Sequence, residues 1–220
     1  MGLFLWKFVA SVGALAPLVQ AANLVKITED FGPNPTNAGF YIYVPDKLAA
    51  SPPVLVNSHA CHGTALGNYG YSEFPRRADK YGFIVIFPNS PHSDGCWDVS
   101  SPGTLSHNGT KGSGDSQGIA SMVRWTLSKY KGDSQRVFLM GVSSGAMMTN
   151  VLLGAYPELF AAGSAWAGVP FGCFSAPVNV AHKQTIDYWN SDCATGKVTH
   201  TAAEWKAIVQ SAYDLYRMAA

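Results

Sequence analysis

The stretch Gly141-Val142-Ser143-Ser144-Gly145 decides the fold of this chain, and it directly follows the apolar run Arg136-Val137-Phe138-Leu139-Met140. The run has the length and composition of a buried strand. The eight residues after Gly145 contain no glycine or proline and predict a helix. Because small residues on either side of Ser143 permit a tight turn, the pattern predicts a strand-to-helix turn with the serine hydroxyl at its tip.

A G-x-S-x-G turn in this context is typical of the nucleophile elbow of α/β-hydrolases. A serine hydroxyl is a weak nucleophile at neutral pH, so it needs a base, and the base needs an orienting acid. In this fold the acid and then the histidine follow the serine along the chain. An ordinary glycine-rich turn is the alternative, and the position between strand and helix favours the nucleophile.

Composition points to one globular domain outside the nucleic-acid-binding classes. At 220 residues the chain can bury a substantial core. Charged residues make up 13% of it, about half of the usual share of roughly 25%. The formal charge of +1 gives no reason to expect a nucleic acid or an anionic membrane surface as a partner.

The first 21 residues predict export. Lys7 precedes an apolar stretch at 8–16, and small residues follow around Ala21. This is the pattern of a signal peptide at 1–21, which leaves one domain at 22–220. A membrane anchor is disfavoured because Pro17 interrupts a run already shorter than the roughly 20 residues that span a bilayer.

An exported chain with four cysteines predicts two disulfides, for which three pairings exist. The alternative is buried free thiols. Asn108-Gly109-Thr110 is an N-glycosylation sequon. Both features are expected in a secreted glycoprotein.

Strand-like and helical segments alternate, which predicts an α/β fold with a mostly parallel sheet. Strands are expected at 24–28, 41–44, 54–56, 83–87, 136–140 and, more weakly, 165–169. One predicted helix begins at Asp115-Ser116 and carries a shared apolar face of Ile119, Met122, Val123, Leu127 and Tyr130. Two more run from Ser144 through Leu153 and from Thr201 to Met218. The polar loop at 88–115 is long enough to indicate a functional site.

An oxyanion hole is expected from two backbone N–H groups. One is the N–H of Ser144, and the other lies in the loop after strand 54–56, where we expect the N–H of Cys61 to be the donor. His59, Cys61 and His62 lack metal-ligand spacing, so we expect neither metal nor cofactor. The aromatic side chains of the flanking loops would form either a sugar-stacking wall or ordinary packing: Tyr69, Tyr71 and Trp97.

Several segments together resemble fungal acetylxylan esterases of carbohydrate esterase family one, a group that includes feruloyl esterases and is related to polyhydroxyalkanoate depolymerases. They are 30–37 (DFGPNPTN), 81–85 (YGFIV), 95–101 (GCWDVSS), 107–109 (HNG) and 143–151 (SSGAMMTNV). The resemblance extends from about Asp30 to about Tyr213. It implies a secreted α/β-hydrolase that removes acetyl groups from plant xylan without a cofactor.

The resemblance also implies roles for individual residues. Ser143 matches the family nucleophile, and Cys61 lies in the segment that matches the oxyanion loop. The implied disulfides are Cys61–Cys96 and Cys173–Cys193.

The sequence departs from the family pattern after about Asp214. The family places its acid in a His-Gly-x-x-Asp-like segment and its histidine in a Gly-His-Thr-Val-Pro-like segment, and neither is found here. We therefore expect a C-terminally truncated domain that lacks its last strands. On its own, this domain is expected to be inactive. A feruloyl esterase or an inactive secreted carbohydrate-binding remnant is the alternative.

The remaining candidate acids and bases have no predicted strand to position them, because no strand-like run follows Val169. The acids are Asp187, Asp192 and Asp214, and the bases are His182 and His200. Asp187 and His200 have the expected order but lie in or beside the loop closed by the implied second disulfide. His59 precedes the serine and would break the order.

Overall fold

The computed structural model describes residues 23–109, 114–175 and 189–217, with side chains described as far as Ser211. The predicted signal peptide at 1–21 lies outside these ranges. The described residues form an α/β fold built on one six-stranded sheet, which confirms the predicted fold class.

The sheet has the order β1-β2-β4-β3-β5-β6. The four strands β4, β3, β5 and β6 are parallel, whereas β1 and β2 pair antiparallel at one edge. All six predicted strands are present. Their bounds are β1 Leu24–Ile27, β2 Gly39–Tyr43, β3 Val54–Ser58, β4 Ile84–Asn89, β5 Val137–Val142 and β6 Ala162–Trp166.

The predicted bounds of β6, 165–169, were wrong. The strand begins at Ala162, where it pairs with Phe138 of β5, and it ends at Trp166 because Ala167 adopts a left-handed backbone with φ 57°. Ala162-Gly163-Ser164 contains no β-branched or aromatic residue. Pairing with β5, rather than local propensity, makes this segment a strand.

Helices cover both faces of the sheet. The bounds are α1 Ala65–Tyr71, α2 Phe74–Tyr81, α3 Asp115–Tyr130, α4 Ser144–Ala155, α5 Ser191–Ala194 and α6 Ala202–Arg217. One apolar core packs α3, α4 and α6 against the sheet. A smaller core packs α1 and α2 against the opposite face.

Helices α1 and α2 were not predicted from the sequence. Helix α1 contains Gly67 and Gly70, which weaken a helical pattern, but Thr64 caps it by accepting a hydrogen bond from the Gly67 N–H at 3.0 Å. Helix α2 has only Ala78 fully buried. Both helices are short, at seven and eight residues, so each presents only about two turns of the apolar stripe that makes a helix detectable from sequence.

Helix α6 confirms the predicted C-terminal helix in its described part. Thr201 and Glu204 form a reciprocal capping box, in which the Thr201 N–H donates to the Glu204 carboxylate at 2.7 Å and the Glu204 N–H to the Thr201 hydroxyl at 3.3 Å. The predicted stripe residues Trp205, Ile208 and Val209 pack against the main core.

Strand β6 forms a free edge in the described part of the chain. Every residue of β6 is exposed, and the Trp166 side chain is 63% exposed. Phe138 and Val142 of the adjacent β5 are also exposed on this part of the sheet. Among the described helices, none is long and apolar enough to cross a membrane.

Candidate active site

Ser143 lies at a sharp turn between β5 and α4, as the sequence predicts. Its backbone is at φ 54° and ψ −121°, a strained conformation for a residue with a side chain. A Cβ at Gly141 would collide with the backbone of Gly145, and one at Gly145 would collide with the Ser58 carbonyl. Both glycines are therefore required by close backbone approach, and they allow the elbow to form.

Ser143 opens onto a cavity of about 410 Å³. The adjacent walls are mainly apolar: the Cys61–Cys96 disulfide, Val99, Met147, Phe174 and Trp189. Trp189 is 65% exposed and packs edge-on against Phe174, with ring centroids 5.0 Å apart. The serine hydroxyl thus faces an apolar cleft of the size of a small-molecule site.

The two predicted oxyanion donors line this same cavity. In the loop after β3, the His62 N–H donates to the Asp94 carbonyl at 3.0 Å and the Gly63 N–H donates to the Ala60 carbonyl at 3.1 Å. Among the described residues no acceptor engages the Cys61 N–H. The Ser144 N–H belongs to the first turn of α4, where backbone donors have no intrahelical acceptor. Both groups are available to a ligand.

Both disulfides implied by the resemblance are present. Cys61–Cys96 joins the loop after β3 to the loop at 88–115. Cys173–Cys193 joins the segment after β6 to α5. The first bridge forms part of the cavity wall, and the second holds the segments that carry Phe174 and Trp189.

His59 is buried and cannot serve as the base in this arrangement. Its Nε2 accepts a hydrogen bond from the Ser90 N–H at 3.1 Å, which assigns the proton to Nδ1. That nitrogen donates to the Ala60 carbonyl at 2.8 Å. Burial lowers the pKa of His59 below its usual value of 6.5. Both ring nitrogens are thus hydrogen-bonded to backbone groups, and the ring stays neutral.

Three of the other described histidines have partners away from the cavity, and the fourth, His62, has an exposed side chain. His92 contacts the buried carboxylate of Asp115 at 3.0 Å. His107 contacts the Ala155 carbonyl at 2.6 Å, and His200 lies 3.9 Å from Glu204. None of these histidines is among the residues that line the cavity.

The candidate acids do not complete the site within the described residues. Asp192 lies 3.6 Å from Lys197 at the surface. Asp187 and His182, and the side chain of Asp214, lie outside the described part of the chain. The described residues bring together the predicted nucleophile and the two predicted oxyanion donors, whereas none of the predicted acids or bases that the structure describes lines the cavity.

The sequence left two alternatives for three aromatic residues, a shared stacking wall or ordinary packing, and the structure favours packing for Trp97 and Tyr69. Trp97 is fully buried, and Tyr71 is 94% exposed and does not line the cavity. Tyr69 packs against Tyr43 and Phe87. The exposed aromatic side chain at the cavity is instead Trp189, which sequence reasoning missed because no strand or helix pattern positions it.

Two further predicted features concern single residues. The Asn108 side chain is exposed and accepts a hydrogen bond from Arg124 at 3.3 Å, while Thr110 of its sequon lies outside the described residues. Among the described residues, no group of three potential metal ligands is found. Cys61 of the histidine-rich loop is oxidised in the first disulfide.

Comparison with known proteins supports this interpretation of the fold. Residues 39–186 match the family Esterase PHB depolymerase. The chain is 51% identical over 197 residues to acetylxylan esterase A of Aspergillus awamori, covering 90% of this chain and 62% of that protein. It is 52% identical over 187 residues to acetylxylan esterase A of Emericella nidulans, covering 85% and 59%.

A solved structure is also similar. The acetyl xylan esterase from Aspergillus awamori superposes with a TM-score of 0.79 at 52% identity, covering 86% of this chain and 65% of that chain. The chain thus spans about three fifths of the length of these curated relatives. The family model covers well over half of the chain, so this protein belongs to the Esterase PHB depolymerase family.

Proposed function

We propose that this protein is a secreted serine carboxylic ester hydrolase that removes acetyl groups from acetylated xylan. The observation that supports this most strongly is the strained Ser143 elbow on a cavity that two backbone N–H donors also line. The relatives are named acetylxylan esterases, which favours an acetyl ester over a feruloyl ester. The domain is proposed to comprise residues 22–220.

The proposed reaction passes through an acyl-enzyme. The Ser143 Oγ attacks the ester carbonyl, and the oxygen that becomes negative accepts hydrogen bonds from the N–H groups of Cys61 and Ser144. Collapse of this intermediate releases the sugar hydroxyl and leaves an acetyl group on Ser143. Water then hydrolyses the acyl-serine and regenerates the enzyme.

The proton of Ser143 must pass to a base, and the described residues supply none at the cavity. We infer that the catalytic histidine and its acid lie outside the described residues. Because losing the base costs several orders of magnitude in rate, a form of the protein without that histidine should turn over esters slowly.

The second candidate is an inactive carbohydrate-binding remnant, which the absence of a described base at the cavity favours. Acetate release from acetylated xylan and hydrolysis of p-nitrophenyl acetate separate the two. Activity that disappears in Ser143→Ala supports the esterase. Xylan binding with no hydrolysis above Ser143→Ala supports the remnant, and robust hydrolysis that survives in Ser143→Ala contradicts both.

Export is proposed on two grounds besides the predicted signal peptide. Two disulfides are expected in an oxidising compartment, and a cell-wall polysaccharide is an extracellular substrate. Intact-mass analysis of the secreted protein tests this. A species that begins after Ala21 and carries a glycan at Asn108 is the expected product.

A further inference from the structure

The dipeptide Cys96-Trp97 contacts both segments that carry the proposed oxyanion donors, the start of α4 with Ser144 and the loop with Cys61. We propose that the Ser144 side chain and Trp97 are positioning residues that fix the Ser144 N–H relative to the Cys61 N–H. The inference rests on the proposed function, because it concerns the oxyanion site of the same serine. It assigns a role to the Ser144 hydroxyl, which is distinct from the role of the Ser144 backbone.

The link to the elbow is a single buried hydrogen bond. The Trp97 N–H donates to the Ser144 Oγ at 2.8 Å, and both residues are nearly inaccessible to solvent. Ser144 begins helix α4 immediately after the nucleophile. Its hydroxyl therefore ties the first turn of α4 to the loop at 88–115.

The link to the other donor has two parts. Cys96 is covalently bonded to Cys61 through the disulfide. The indole Nε1–H of Trp97 donates to the His59 carbonyl at 2.9 Å, two residues before Cys61. The loop that carries the Cys61 N–H is thus attached to Cys96-Trp97 on both sides of Ala60.

His59 and Ser90 complete the support. The His59 ring packs against the Trp97 indole, with centroids 4.9 Å apart, and its Nε2 accepts the Ser90 N–H. The Ser90 hydroxyl donates to the Cys96 carbonyl at 2.6 Å. His59 and Ser90 are therefore hydrogen-bonded to each other, and each makes one contact with the dipeptide.

The arrangement has a direct consequence for catalysis. An oxyanion hole works only if its donors are held at the position where the negative oxygen develops. Ser144→Ala keeps the backbone N–H but removes the acceptor of the Trp97 N–H. The Ser144 N–H would then still be present, but it would lose the contact with Trp97 that fixes its position.

Phenylboronic acid tests this without requiring the catalytic base. The Ser143 Oγ forms a bond to the trigonal boron and its proton passes to solvent, which leaves a tetrahedral boronate anion with one oxygen in the oxyanion site. Boron-11 NMR distinguishes the tetrahedral adduct from the free acid, and titration gives its Kd. Benzamide, a planar uncharged analogue, reports ground-state binding in the same cavity.

We expect Ser144→Ala to weaken the boronate by about tenfold, less than the loss of a whole donor, and to leave benzamide binding unchanged. Ser144→Thr, which retains an Oγ, should restore boronate affinity. Ser121→Ala is the matched control. Ser121 lies on α3, and its buried hydroxyl donates to the Pro33 carbonyl at 2.7 Å. This variant should lower Tm without changing the boronate Kd.

The outcomes separate the inference from the proposed function. If the parent protein and Ser143→Ala bind the boronate equally, the proposed nucleophile is wrong. If the parent forms the adduct at Ser143 and Ser144→Ala binds as tightly, only the positioning role is wrong. Should Ser144→Ala fail to fold, the folded Ser144→Thr decides: near-parental affinity supports the role, and a tenfold loss contradicts it.

Discussion

At the scale of single residues, backbone contacts hold Ser143 in its conformation at the elbow. Ser143 keeps a positive φ because its N–H donates to the Trp166 carbonyl at 2.9 Å and because Gly141 and Gly145 admit the backbone on either side. Strain of this kind persists only where the surroundings determine the conformation fully. The sequence predicted the position of Ser143 at a strand-to-helix turn, since glycine spacing and strand context both indicate it, and its role as nucleophile stays a prediction.

The residue that sequence reasoning could least predict is His59. Nothing in the sequence indicates that both ring nitrogens bond to backbone, because Ser90 lies 31 positions away. The ring is consequently a structural support beside the cavity. Its neutral state in the fold gives a pH dependence that can be measured.

We predict that acid destabilises the protein through His59. Its folded pKa is lowered, so the unfolded chain binds a proton that the folded chain does not. Stability present above the unfolded pKa of about 6.5 is then lost as pH falls, by up to about 1.4 kcal/mol per pH unit. Urea unfolding of the parent and of His59→Gln, measured from pH 8 to pH 5, should show a shallower slope in the variant.

His200→Gln is the control for that experiment. This histidine is partly exposed and lies beside Glu204 on α6. Its replacement should leave the slope close to that of the parent. A parental slope in His59→Gln would contradict the structural role assigned to the buried ring.

At the scale of elements, the two disulfides hold loops that the sheet and helices leave free. Cys61–Cys96 closes a separation of 35 residues and Cys173–Cys193 one of 20 residues. The bridge pairing came from family resemblance, whereas cysteine count alone left three pairings open. Only the first bridge lies beside a proposed oxyanion donor, so we expect the two bridges to affect ligand binding differently.

We predict that removing either bridge lowers stability by about 3–4 kcal/mol, the chain-entropy value for loops of this length. Cys61→Ala with Cys96→Ala should in addition weaken the phenylboronate adduct, because this bridge holds the Cys61 loop. Cys173→Ala with Cys193→Ala serves as the matched pair. Urea unfolding and the boronate titration measure the two effects, and equal boronate loss in both double variants would contradict the assignment.

Elements were predictable where their patterns are strong. The apolar runs of β3, β4 and β5 and the patterns of α3, α4 and the described part of α6 were found from the sequence. The sequence did not predict helices α1 and α2 or the true start of β6, because tertiary contacts rather than local propensity create them. The cavity aromatic Trp189 was missed for the same reason.

On the scale of the whole molecule, the sheet is covered unevenly. Both faces carry helices near β3 and β4, but β6 is exposed along its length, and a cleft lined by Leu55, Phe74, Phe138 and Trp166 opens on the sheet face. An uncovered parallel edge with apolar neighbours favours self-association. No strand-like run follows Val169 in the sequence, so nothing there predicts a further strand beside β6.

We predict that Trp166→Lys reduces self-association of residues 22–220, because a charge on the edge strand opposes pairing with another chain. Light scattering against concentration measures the effect. Leu66→Lys on α1 is the control, since Leu66 is 67% exposed and Trp166 is 63% exposed. If both variants reduce association equally, net charge rather than the β6 edge is responsible.

The most direct test of the central claim is to locate the acyl group. The secreted protein is incubated with p-nitrophenyl acetate, quenched in acid, and analysed by intact mass and peptide mapping beside Ser143→Ala. The proposed mechanism predicts one acetyl group on Ser143 in the parent and none in the matching peptide of the variant. Acetylation at another residue with Ser143 unmodified, or equal release of p-nitrophenol by both proteins, would contradict it.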